Sequence, residues 1–73
     1  MRITIQPPRN GSTAHETDQE LQRAFNVLHQ TFIRTRGGGR FADISIAIIL
    51  ERETDTTAAL AALKQAGIRA FAS

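Results

Sequence analysis

Between Phe41 and Leu50 the chain reads Phe-Ala-Asp-Ile-Ser-Ile-Ala-Ile-Ile-Leu, with no Gly or Pro, a glycine run before it and Glu51-Arg52-Glu53 after it. A β-branched run with such flanks predicts a strand over 41–50, the central one of any sheet this chain can build. Side chains alternate along a strand. Ile44, Ile46, Ile48 and Leu50 therefore share one face, while Phe41, Asp43, Ser45, Ala47 and Ile49 share the other. The first face demands burial, and the second is mostly small.

With 73 residues the chain has room for a single domain, 1–73, and one modest core, because a chain of this size buries only about 60% of the surface its unfolded form exposes. Domains so small commonly gain stability from disulfides, a metal or a partner subunit. Cysteine is absent, which rules out disulfides and thiolate chemistry and fits a reducing cytosol. Association is then the expected route. The apolar runs are far shorter than the roughly 20 residues of a membrane span, and the N-terminus carries neither a hydrophobic signal core nor a lipidation pattern. The expectation is a soluble, cytoplasmic protein with no membrane contact.

The sequence pI of about 10.5 has the look of a nucleic-acid binder. The net charge is nonetheless only +2, from nine basic and seven acidic groups, and the pI is high because every base except Lys64 is Arg. So small an excess attracts polyanions weakly unless it is concentrated on one surface.

Read in order, Arg2 to Gln6 alternates Ile3 and Ile5 against Thr4 and Gln6, a short half-buried strand that Pro7 and Pro8 end. The stretch from Pro7 to His15 has loop composition, with Asn10-Gly11 as a tight-turn signal. Two capping boxes follow, Thr13 to Glu16 and Thr17 to Glu20, and the second is the preferred helix start. Leu21, Ala24, Phe25, Val27, Leu28 and Phe32 draw one apolar stripe, so the helix is expected to run to about Arg34 and to stop at Gly37. Glu16, Asp18 and Glu20 at its start, with Arg34 and Arg36 at its end, suit a helix macrodipole. After the central strand, Thr54 or Asp55 caps an alanine-rich helix over 56–66, Gly67 stops it, and 68–72 alternates as a last strand.

Strand, helix, strand, helix, strand with long crossovers predicts a two-layer α/β (α+β) sandwich, a three-stranded parallel sheet with both helices on one face. The stretch from Thr56 to Ala72 resembles the last helix and strand of ferredoxin-like regulatory modules. A parallel sheet is normally covered on both sides. The uncovered face, Phe41, Ser45, Ala47, Ile49, Arg69 and Phe71 with Arg34, Arg36 and Arg40 at its rim, is therefore the expected protein-binding surface, the simplest partner being a second copy in a homodimer.

Two further surfaces carry chemistry. In the segment Arg34 to Arg40 the guanidinium groups of Arg34, Arg36 and Arg40 around the Gly38 backbone can grip phosphates, with Phe41 stacking on a base, which makes nucleic acid the alternative partner. The plainer reading gives two of those charges to the helix dipole. Arg9, Asn10, Ser12, Thr13 and Arg52 lie near helix N-termini, where a small anion can bind, although five carboxylates crowd the same edge. Metal binding needs three or four converging ligands, and His15 beside Glu16 with a distant His29 does not supply them. No Walker or Gly-x-Gly-x-x-Gly pattern is present. No metal, no cofactor and no enzymatic activity are expected; the reading is a small interaction or regulatory module of the inhibitor, antitoxin or complex-subunit kind.

Overall fold

The computed structural model describes residues 2–41 and 45–72. Four strands and two helices run in the order β1 (Arg2–Ile5), α1 (Ala14–Gln30), β2 (Thr35–Arg40), β3 (Ile46–Leu50), α2 (Thr56–Gln65) and β4 (Ala70–Ala72), with a 3-10 turn at Glu53–Asp55. The sheet order is β2-β3-β1-β4, and all three pairings are antiparallel. This is the split β-α-β arrangement of ferredoxin-like folds.

The α+β class and the packing of both helices on one sheet face agree with the sequence reading, whereas the parallel, three-stranded sheet does not. The glycines read as a turn form a strand instead. Thr35, Gly38 and Arg40 lie opposite Leu50, Ile48 and Ile46, with a bulge between Thr35 and Gly37. Once β2 pairs with β3 as a hairpin, β3 must run against β1, so α1 joins two strands separated by a third. The central strand is also shorter than expected. It begins at Ile46, and Phe41 belongs to the other arm of the hairpin, its N–H donating to Ser45 O at 2.9 Å. Ala42, Asp43 and Ile44 lie outside the described residues.

Ile3 and Ile5 of β1 and Ile46, Ile48 and Leu50 of β3 form one buried layer, which Ala24 and Leu28 of α1 and Ala59 and Leu63 of α2 cover. Small residues at the contacts let backbones come close. A Cβ added at Gly38 would stand 2.6 Å from Ala47 O and 2.8 Å from Phe25 Cζ. Only glycine lets the tip of the Phe25 ring and the Ala47 carbonyl come this close to the edge strand.

Helix α1 starts a turn earlier than the preferred site. Thr13 Oγ1 accepts from Glu16 N at 3.1 Å, Glu16 Oε1 accepts from Thr13 N at 3.0 Å, and the Thr17 hydroxyl donates to Thr13 O. The helix also ends earlier, at Gln30, with the Thr31 hydroxyl donating to Val27 O and Leu28 O. The stop is Phe32, not Gly37. Its φ is 63°, Phe32 N donates to His29 O at 3.1 Å and Ile33 N to Leu28 O at 3.0 Å. These are the two bonds of a Schellman motif, in which the left-handed residue is usually glycine. Helix α2 ends in the same motif with Gly67 at φ 79°, Gly67 N donating to Lys64 O and Ile68 N to Leu63 O.

Phe32 is consequently turned out of the apolar stripe and is 90% exposed, while Ile33 takes the buried place. Arg34 and Arg36 are not in the last turn, whose basic residue is His29, so the dipole account of those two charges does not hold. A side chain in the left-handed region costs about 1–2 kcal/mol relative to the right-handed one. Among the described residues no helix is long and apolar enough to cross a membrane.

Two substitutions should move stability in opposite directions. Gly38→Ala is expected to cost about 1–3 kcal/mol through overpacking against β3 and Phe25. Phe32→Gly is expected to stabilise by a few tenths to about 1 kcal/mol, the relieved strain being partly offset by the greater freedom of the unfolded chain. Urea unfolding midpoints of the two variants check both signs.

Candidate functional site

The helix-free face of the sheet gathers most of the residues expected to bind protein. Arg40 sits on the helix side, where its Nη2 donates to Asp18 Oδ1 at 2.8 Å, so Phe41 points the other way. Register then places Ser45, Ala47 and Ile49 of β3, Gly37 and Gly39 of β2, Arg2 and Thr4 of β1, and Phe71 of β4 on that same face. The Arg2 guanidinium carbon stands 5.0 Å from the centroid of the Phe41 ring, a cation–π distance. Because β3 separates the strands that carry these two residues, the pair reaches across it.

The face is not uniform. Ala47 is fully buried although no helix covers it, so it can contribute nothing to a contact. Ser45 and Ile49 are half-buried, and Phe71, opposite Thr4, is 47% exposed. Arg69 is exposed but tied, its Nη2 donating to Pro7 O at 2.8 Å. The surface left for a partner is Phe71 at one edge, with Thr4, Ile49 and Ser45 partly open beside the Arg2–Phe41 pair that crosses β3. An antiparallel sheet can leave one face to water, so the need for a cover rests on these side chains and not on the topology.

The expected anion site is closed by the chain itself. Arg9 Nη2 donates to both Glu16 oxygens at 2.9 Å and its Nε to Oε2 at 3.2 Å. Glu16 meanwhile fills the N-terminus of α1. The Ser12 hydroxyl donates to Arg9 O at 2.7 Å and accepts from Arg9 N, Thr13 is the cap, and Asn10 lies exposed in the turn beside Gly11. Arg52 Nε stands 3.4 Å from Asp55 Oδ2, an ion pair without hydrogen-bond geometry. Where an anion was expected to bind, a carboxylate of the chain takes its place.

The expected phosphate grip is likewise taken apart. Gly38 lies under Phe25 and Arg40 is paired with Asp18, whereas Arg34 and Arg36 are exposed. Arg34 lines a cleft of about 710 Å³ between the last turns of α1 and the start of β2, together with Phe25, Asn26, His29 and Phe32. His15 lies at the opposite end of α1 from His29. Two features escaped the sequence reading. Glu20 is buried and accepts from Arg23 Nη1 at 3.0 Å, while Arg23 Nη2 donates to Ala66 O at the end of α2. The other is Phe32, whose spacing from Leu28 points inward and carries no mark of its exposure; only the β-branched Thr31 and Ile33 beside it hint at the early helix end.

No family model, curated protein or solved structure matches this chain.

The Thr13 N–H, and after it the Arg9 guanidinium, hold the Glu16 carboxyl below the usual glutamate range, while desolvation opposes them. A depressed folded-state pKa means that the unfolded chain binds more protons in that window, so the contribution is present above about pH 4.3 and is lost as pH falls through the lower folded value. Glu16→Gln retains the shape and the cap but not the charge. The urea midpoint of the wild type should exceed that of the variant at pH 6 and converge on it as the pH drops to 3.

Proposed function

We propose that this chain is a non-enzymatic protein-interaction module that presents its helix-free sheet face to a partner protein, in the first instance a second copy of itself. The observation that supports this best is Phe71, a half-exposed phenylalanine opposite Thr4 on the helix-free face. Aromatic anchors dominate interface energetics, and Ile49 on the same face adds apolar surface that is only half-buried.

Size supports the same reading. A two-layer domain measuring 32 × 25 × 16 Å has broad faces of about 800 Å², the area that a standard interface buries on each partner. Its total surface is 4792 Å², so covering one face would remove about one sixth of it. For a domain with a core this small, that is the kind of added burial that disulfides or a metal supply elsewhere. The Arg2–Phe41 pair crosses β3 and would lie within such a contact, its cation already matched with a ring. A cytoplasmic setting suits a chain that carries no cysteine to be kept oxidised.

Sedimentation equilibrium tests the proposal. The wild type is expected to approach twice 8.0 kDa with rising concentration, and Phe71→Asp, which places a charge where an apolar anchor would be desolvated, is expected to remain at the monomer mass. A wild type that stays monomeric at every concentration, or a Phe71→Asp variant that associates equally well, would refute self-association through this face.

A further inference from the structure

Every arginine but two is satisfied within the fold. Arg9, Arg23, Arg40 and Arg52 face carboxylates, Arg69 donates to a carbonyl, and Arg2 lies over Phe41. The side chains of Arg34 and Arg36 have no ion pair, hydrogen bond or ring contact with any described residue. Both are exposed, and they follow Phe32 at steps of two along one segment. Phe32 itself stands 90% exposed in a left-handed conformation that the other helix gives to Gly67. It adds nothing to the core, and the backbone would be easier to hold without its side chain. Strain of this kind is retained where the side chain serves a purpose outside folding.

We propose that Phe32, Arg34 and Arg36, with the cleft behind them, bind nucleotide units of single-stranded nucleic acid. The Phe32 ring offers a free face on which a base can stack, and the two free guanidinium groups can hold successive phosphates. The cleft of about 710 Å³ continues from the ring past Asn26, Gln22 and His29, whose amide and imidazole groups can meet the edge of a base. Glu51 also lines the cleft, and its carboxylate repels phosphates from that wall, so they stay on the outer side where Arg34 and Arg36 are exposed. An acidic peptide added to the β2 edge is disfavoured, because that edge is bulged beside Arg36 and carries charges at both ends of the glycine run, the features that blunt strand addition. This site lies at the opposite sheet edge from Phe71 and does not depend on the self-association reading.

Fluorescence anisotropy of the whole chain with a labelled oligouridylate and a labelled oligothymidylate is the test. Two single-strand phosphate contacts predict that log K falls against log salt with a slope of about −1.4, and that Arg34→Ala or Arg36→Ala each reduce it to about −0.7. Phe32→Leu, which keeps the backbone strain, should weaken binding roughly 5- to 150-fold, and Phe32→Trp should restore it. Phe32→Gly should lose binding with a thermal midpoint no lower than that of the wild type, so misfolding cannot account for the loss. Phe71→Asp should bind as the wild type does. Uridine monophosphate binding as tightly as the oligomer, and equally dependent on Phe32, would support the site and identify its ligand as a free nucleotide. Absence of saturable binding at low salt, indifference to Phe32→Leu, or equal binding of polyglutamate would overturn the proposal, the last in favour of an acidic polypeptide.

Discussion

Ile3 lies opposite Ile48 and Ile5 opposite Ile46 across the central strand pair, and these side chains can leave water only if something is laid over them on one side. The two helices provide that cover, each through a narrow stripe of small and branched residues, Ala24 with Leu28 and Ala59 with Leu63. A ladder of γ- and β-branched side chains set against alanine brings helix and sheet backbones close together. The helices are then fixed by where they end, since each must turn its chain back into the sheet at once. Both do so with a Schellman motif whose C″ residue, Ile33 or Ile68, enters the same core.

Charge is arranged around this core with little left over. Glu20 and Arg23 join the middle of α1 to the last carbonyl of α2, Arg9 and Glu16 close the other end of α1, and Asp18 and Arg40 fasten α1 to the edge strand. Exposed pairs are individually worth only about 0–1 kcal/mol; their effect here is to orient elements whose apolar contacts are small. It follows that the modest excess of basic over acidic groups is a poor guide to where a polyanion would meet the chain. The unpaired arginines matter more than the sum, and they adjoin one another.

Layer architecture was legible in the sequence because it depends on periodicity. Alternation marked β1 and β4, three-and-four spacing marked α1, and alanine with a terminal Gly67 marked α2. What was lost turned on residues without a pattern. Gly37, Gly38 and Gly39 have no side chains to alternate, so β2 was unreadable as a strand, and with it went the hairpin, the strand order and the antiparallel sense of the whole sheet. Phe32 shows the converse failure, a perfect place in the helical period overridden by a helix that ends one turn early. The helix-free face was legible as a set of residues, since alternation alone assigns them, but the burial of Ala47 and the approach of Arg2 to Phe41 across β3 depend on strand order, which no local pattern encodes.

The two edges of the sheet are treated differently, and the difference bears on what the molecule can do. At one edge β4 spans only Ala70–Ala72, too short to template another chain. At the other, β2 is the longest strand of the sheet but is bulged and bracketed by arginines, so strand addition is discouraged there too. Each edge nonetheless displays a phenylalanine, Phe71 within β4 on the helix-free face and Phe32 before β2 on the helix side, and these are the two large apolar side chains that the described residues leave exposed. With both backbone edges guarded and an aromatic ring open at each, the binding proposed above would run through side chains and not through strand addition. The two rings lie at opposite edges of the sheet and have different neighbours, Thr4 across from Phe71 and the exposed Arg34 and Arg36 following Phe32, so a substitution at one leaves the other surface in place.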